Sequence, residues 1–131
     1  MPPTDAVPKP VKPIGAYSPL RIIPIGTAKL VFISGLTSGG EAPYDMAGQA
    51  EVIFARMNML LAEAGGNIGH LVKITTFLTD MRHYAAYNAV RNRVFADVGV
   101  PPTSATVGTP QLVSPDAMIE IEGVAVIPGA S

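Results

Sequence analysis

The sequence predicts a small two-layer α+β protein with the element order β-β-α-β-α-β-β. Its length of 131 residues is typical of one domain. In two segments the apolar residues recur at helical spacing, whereas the other apolar stretches are short, rich in β-branched residues and bounded by Gly or Pro. Two helices can cover only one face of the resulting sheet. The other face also carries apolar side chains, so we expect the chain to form an oligomer through it.

Two strands are predicted in the first third of the chain. Residues Leu20–Ile25 form the first, and Pro24 within it indicates an edge or a bulge because proline donates no hydrogen bond to a neighbouring strand. Residues 30–34 form the second, and they are apolar on both faces. A Gly-rich loop, residues 35–43, follows and lacks the spacing of a phosphate-binding loop.

The two predicted helices are separated by a third strand. Asp45 is expected to cap the first helix, and Gly65 with Gly66 should end it. Polar residues of this helix, such as Arg56, fall away from its apolar positions. Residues Leu71–Leu78 form the β-branched third strand, and Asp80 is expected to cap the second helix.

The last third of the chain is an extended segment from Thr103, a polar loop and a long strand over residues 118–127. Since side chains alternate in a strand, Glu120 and Glu122 share a face that is otherwise apolar. Two readings are open from the pattern alone. The pair lies on a solvated face or in ion pairs, or one carboxylate has a raised pKa in a cleft and can move a proton.

Composition excludes several classes of function. Only 15% of residues are charged, the net charge is -1 and the basic residues form no run, which argues against nucleic-acid binding. There is no cysteine, and His70 and His83 belong to no zinc spacing, so no metal site is expected. No segment resembles a membrane span, and a cytoplasmic protein is predicted.

The first 13 residues carry five of the 13 prolines and are expected to be an extended arm before a single domain over residues 14–131. Tyr17 lies in a tight loop, where such residues are more often turn formers than catalytic groups. Asn88 is more simply a structural hydrogen-bonding residue than a ligand contact.

Several short motifs, taken together and in their order along the chain, make it resemble the Rid/YjgF family of reactive intermediate deaminases, also called endoribonuclease L-PSP. The matching pieces are residues 15–18 (GAYS), 32–35 (FISG), Gln49, 60–65, 72–81, 87–88 and 119–125 (IEIEGVA). The resemblance implies a chorismate-mutase-like fold with one mixed sheet and both helices on one face. It also implies a homotrimer with the sheets turned inward and a small-molecule cleft between each pair of subunits.

The family resemblance also implies a site. Active members hydrolyse imines or enamines without a metal or other cofactor, and the matching positions here are Tyr17, Ser34, Gly35, Asn88 and Glu120, with Glu120 as the catalytic candidate. In the family pattern an arginine holds the substrate carboxylate. Thr103 stands at that position in this chain, and Ala105 stands near a position that is often cysteine. A neutral threonine cannot replace a guanidinium as a carboxylate clamp.

Two hypotheses of different class follow from this pattern. In the first, the protein binds a small imine, enamine or carbonyl compound between subunits and hydrolyses it with Glu120 and a water. In the second, it is a non-catalytic binding or regulatory trimer. Whether it is an enzyme is therefore left open by the sequence. A ribonuclease is the least supported reading, because the chain has no basic stripe.

Overall fold

The computed structural model describes residues 15–41 and 44–129. The predicted proline-rich arm, residues 1–13, lies outside these ranges. Seven main elements follow one another in the predicted order, and their bounds are β1 Leu20–Ile25, β2 Ala28–Leu36, α1 Met46–Glu63, β3 Leu71–Leu78, α2 Tyr84–Val94, β4 Thr103–Gly108 and β5 Ile119–Ile127. Among the described residues, no helix is long and apolar enough to cross a membrane.

The five strands form a single mixed sheet in the order β1-β2-β5-β3-β4. β3 and β4 run parallel, and the other neighbouring strands are antiparallel. β1 is an edge strand, which agrees with the proline in its sequence. β5 lies at the centre of the sheet, so the residues of its two faces are held by neighbours on both sides.

Both helices pack on one face of the sheet, as predicted. The core between the layers includes Ile53 and Met57 from α1, Tyr87 from α2, and Ile119 and Ile121 from β5, all of which are essentially inaccessible to solvent. Burying apolar surface of this kind is the main favourable contribution to folding. The opposite face of the sheet is covered by no helix and exposes apolar side chains such as Phe32, Val107 and Val126.

Asp45 caps α1 as predicted, with its carboxylate accepting a hydrogen bond from the Gly48 amide. The prediction for Asp80 is wrong in one respect. Asp80 caps a short 3-10 turn, Met81–His83, and α2 begins only after that turn. The Asp80 carboxylate accepts a hydrogen bond from the Arg82 amide. Such a cap is the same for either type of helix, so the sequence signal does not distinguish them.

Arg56 also differs from the expectation for a polar helix residue, because its side chain is buried against the loop that follows β2. Its guanidinium forms an ion pair with Glu41 and donates a hydrogen bond to the Thr37 carbonyl. The loop after β2 thus folds over the helix. A buried charge of this kind is tolerated because it is paired and hydrogen-bonded.

Candidate functional site

Glu120 lies on the uncovered face of the sheet, near the start of β5. Its neighbours Ile119 and Ile121 point into the core, so the alternation of the strand turns Glu120 away from the helices. In the sheet, Glu120 pairs with Phe77 of β3, and Phe77 pairs in turn with Val107 of β4. The carboxylate therefore stands beside apolar neighbours.

Gly35 makes the space that the Glu120 carboxylate occupies. A Cβ atom at Gly35 would lie 2.6 Å from Glu120 Oε2 and 2.9 Å from Cδ, closer than real Cβ atoms approach other atoms. The pairing of β2 with β5 is irregular between Ile33 and Leu36, which brings Gly35 to this position. Glycine thus permits the close approach of the backbone to the carboxylate in its present position.

The surroundings raise the pKa of the Glu120 carboxyl above its ordinary value. Partial burial is the larger cause, and the negative charge of Glu122 on the same face is the smaller one. Within residues 15–41 and 44–129, no donor hydrogen-bonds to the Glu120 carboxylate to counteract these effects. A partly accessible carboxyl group with a raised pKa is suited to accept a proton and return it.

In the described part of the chain, neither Glu120 nor Glu122 forms an ion pair. The three ion pairs of this part join Arg56 to Glu41, Arg82 to Asp80 and Arg93 to Glu51. Glu122 is exposed, whereas Glu120 is only partly accessible. The two carboxylates therefore differ in solvent exposure, although they are two residues apart on the same face of β5.

Ser34 and Tyr17 come close to this end of the sheet through the loop before β1. The Ser34 hydroxyl donates a hydrogen bond to the Ser18 carbonyl at 2.6 Å, and the Ser34 amide donates one to the Pro19 carbonyl at 3.0 Å. These bonds hold the loop next to Gly35. Tyr17 precedes the anchored residues, and its side chain is 52% exposed.

Thr103 and Ala105 lie on the same uncovered face but further along the sheet. Thr103 pairs with Lys73, four residues along β3 from the Phe77 partner of Glu120, which corresponds to about 13 Å along the strand. The Thr103 hydroxyl donates a hydrogen bond to the Val72 carbonyl. Ala105 lies between them, opposite Thr75. Within one chain, Thr103 is therefore not beside Glu120.

Asn88 lies on the helix side of the sheet, where its side chain accepts a hydrogen bond from Arg91 Nη2 at 2.6 Å. Arg91 also donates to the Tyr84 hydroxyl at 2.7 Å and, through Nη1, to the Ser104 hydroxyl at 2.9 Å. The sequence analysis did not single out Arg91. The spacing of the sequence could have indicated this cluster, because the side chains at positions 84, 87, 88 and 91 lie on one side of a helix.

A family model and individual relatives of known sequence agree on the family to which this chain is similar. The family model described as endoribonuclease L-PSP matches residues 8–127. Protein DfrA of Myxococcus xanthus is 33% identical over 120 residues, covering 88% of each chain. The putative reactive intermediate deaminase TdcF of Escherichia coli is 30% identical over 107 residues, covering 78% of this chain and 82% of its own.

The fold has the same relatives. The crystal structure of E. coli TdcF with bound serine superposes with a TM-score of 0.76 at 28% identity, covering 96% of this chain and 97% of that one. The order of strands and helices, the motifs along β2, β3 and β5, and the match over almost the whole chain therefore agree. The chain belongs to the Rid/YjgF family, the family of endoribonuclease L-PSP and the reactive intermediate deaminases.

Proposed function

We propose that the protein binds a small imine, enamine or carbonyl compound and hydrolyses the imine or enamine with Glu120 and a water molecule. The observation that carries the proposal is the Glu120 carboxyl, whose pKa is raised by burial and which lies in the space left by Gly35. The similarity to a protein named as a putative reactive intermediate deaminase supports the reaction class.

In the proposed reaction the ionised Glu120 carboxylate accepts a proton from water as the oxygen of that water attacks the imine carbon. The C=N π electrons move to nitrogen, and Glu120 passes the proton that it has accepted to that nitrogen, which gives a carbinolamine. Glu120 then accepts the hydroxyl proton of the carbinolamine as the C=O bond forms, and it delivers this proton to the nitrogen as the C–N bond breaks and ammonia leaves. The balance is one imine and one water giving one carbonyl compound and one ammonia. A base with a raised pKa suits both proton transfers near neutral pH.

We place this reaction in clefts between the subunits of a homotrimer. The uncovered sheet face exposes Phe32, Val107 and Val126, and only 15% of the residues are charged, so a partner surface is needed to bury the apolar area. Tyr17, Ser34 and Gly35 would line such a cleft with Glu120, and Thr103 and Ala105 would reach it from a neighbouring subunit, whereas Asn88 lies on the helix side of the sheet and is bound to Arg91. That arrangement would join the two groups that are separate within one chain.

A non-catalytic binding protein is the second candidate. One observation favours it, because Thr103, at the position of the family arginine, has its hydroxyl directed to the Val72 carbonyl. A neutral hydroxyl contributes about 1 kcal/mol at best to carboxylate binding, against roughly 1.5–3 kcal/mol for a charged donor. Substrates without an α-carboxylate are therefore the better candidates.

Ammonia release from freshly generated imines and enamines, with and without a carboxylate, tests the proposal. We expect the wild-type protein to accelerate release from at least one neutral imine, and Glu120→Gln to lose that acceleration by about 100-fold or more, in line with general acid–base catalysis. Glu122→Gln is the matched control and should retain most of the activity. Equal activity of the wild type and Glu120→Gln would contradict the proposal, and binding without turnover would favour the second candidate.

A further inference from the structure

A cavity of about 630 Å³ lies between α2 and the edge strand β4. Ser104 and Thr106 border it from β4, and their side chains alternate with those of Thr103 and Ala105. The cavity is thus on the helix side of the sheet, and within one chain the sheet separates it from Glu120. Its volume falls in the range of roughly 300–1,000 Å³ that is usual for small-molecule sites.

Arg91 is the charged residue among those described around this cavity. Its side chain is half-buried, and none of the three ion pairs in the described part of the chain includes it. Its hydrogen-bond acceptors are neutral oxygens of Tyr84, Asn88 and Ser104. A partly desolvated charge without a counter-ion is unfavourable, so an anion entering the cavity would be stabilised.

The guanidinium is also held in place before any ligand arrives. It lies 5.0 Å from the centre of the Tyr87 ring and 5.7 Å from that of Tyr84, where each ring face attracts a cation. Three hydrogen bonds to neutral oxygens use three of its five N–H donors, which leaves two for a ligand. A side chain fixed in this way loses little further freedom on binding.

We propose that this cavity binds a small monocarboxylate with a short apolar body, and that Arg91 is its anion-binding residue. A single guanidinium balances a single negative charge, and its free Nε–H and remaining Nη1–H can each donate a charge-assisted hydrogen bond to a carboxylate oxygen. Met81, Phe95, Pro101 and Pro102 supply apolar walls for the body of the ligand. A phosphate dianion would leave one charge uncompensated against these walls. The proposal goes beyond hydrolysis at Glu120 and does not depend on it.

The test uses butanoate as the probe and the full chain, with binding measured by calorimetry. Saturable butanoate binding is expected, and Arg91→Gln should weaken it by at least about tenfold because a charge-assisted hydrogen bond is lost. Arg93→Gln is the matched control, since Arg93 is exposed on the same helix and forms a surface ion pair with Glu51. Butanamide, the uncharged analogue, should bind at least about tenfold more weakly than butanoate.

A second measurement on the wild-type protein locates the ligand independently of any variant, because Arg91 also packs on two tyrosines and its replacement affects their packing. In a two-dimensional NMR titration, butanoate should shift the amide signals of Arg91, Ser104 and Thr106, and Glu120→Gln should bind it with unchanged affinity. Absence of binding, shifts confined to the Glu120 face, or loss of binding in Glu120→Gln would overturn the proposal. Inorganic phosphate binding as tightly as butanoate would overturn the assigned ligand class.

Discussion

At the scale of single residues, the contact between Gly35 and Glu120 decides what the carboxylate can do. The carboxylate occupies the volume that any side chain at position 35 would fill. It is the far end of a flexible side chain, so it can move aside at modest cost, but it then leaves the environment that raises its pKa. Position 35 therefore controls the chemistry of Glu120 more than it controls the fold.

We accordingly predict that Gly35→Ala folds with a loss of stability below ~2 kcal/mol but displaces the Glu120 carboxylate and removes most of any imine hydrolysis. Thermal unfolding and ammonia release measure the two effects. Gly99→Ala is the control, since a Cβ at Gly99 meets nothing within 4 Å. Full activity in Gly35→Ala would show that the position of the carboxylate is not critical.

The raised pKa of Glu120 makes a second prediction about stability and pH. The folded protein keeps the Glu120 proton to a higher pH than the unfolded chain. In the unfolded chain the pKa of glutamate is about 4.3. The wild type therefore loses stability as the pH rises from the unfolded to the folded pKa, and Glu120→Gln does not. We expect the stability of Glu120→Gln relative to wild type to increase with pH across this window and then level off.

Urea unfolding of both proteins over a pH series from about 4 to 8 measures this difference. Glu63→Gln serves as the control, because Glu63 is exposed on the helix layer, on the other side of the sheet from Glu120. A difference between Glu120→Gln and wild type that is independent of pH would show that the carboxyl is not perturbed in the folded protein.

At the scale of elements, Gln49 connects α1 to the entrance of β5. Its buried amide donates a hydrogen bond to the Asp116 carbonyl at 3.1 Å and accepts one from the Met118 amide at 2.8 Å. These bonds fix the end of the polar loop immediately before Ile119. The register of β5, and with it the face on which Glu120 lies, is thereby tied to the first helix.

Gln49→Ala is therefore predicted to destabilise the protein by about 2–4 kcal/mol, since it leaves the buried Met118 amide without its acceptor and removes a second hydrogen bond. Denaturant unfolding measures the loss. Glu51→Ala on the same helix removes only a surface ion pair with Arg93 and should cost less than about 1 kcal/mol. Equal effects of the two substitutions would mean that the loop holds its position without Gln49.

The elements themselves were predictable because each follows a local rule. The alternation of side chains identified β5 and placed Glu120 and Ile121 on opposite faces of that strand. The capping residue Asp45 marked the start of α1. The Gly35–Glu120 contact was not predictable, since it depends on an irregular pairing between two strands about 85 residues apart in the chain. The burial of Arg56 likewise depends on Glu41 and on the path of the loop, which helical spacing does not encode.

At the scale of the whole molecule, the distribution of polar and apolar surface distinguishes the two faces of the sheet. The helix layer presents charged residues such as Glu51, Glu63 and Arg93 to solvent, whereas the uncovered face presents Phe32, Val107 and Val126. A monomer with this face in water would keep these apolar side chains exposed. Association through the sheet would bury these side chains and shield Glu120 further, so the proposed oligomer and the chemistry proposed for Glu120 would be coupled.

We therefore predict a homotrimer at micromolar concentration, and we expect Phe32→Lys to dissociate it. Phe32 is 43% exposed in the single chain and lies opposite Val124 of β5, near the middle of the uncovered face. A lysine there would place an unpaired charge in an apolar interface, which is strongly unfavourable. Glu63→Lys, an exposed change on the helix layer, is the control and should remain trimeric. Sedimentation velocity distinguishes the species. A wild-type protein that sediments as a monomer would contradict the predicted trimer and, with it, the proposed cleft in which Thr103 of one subunit lies near Glu120 of another.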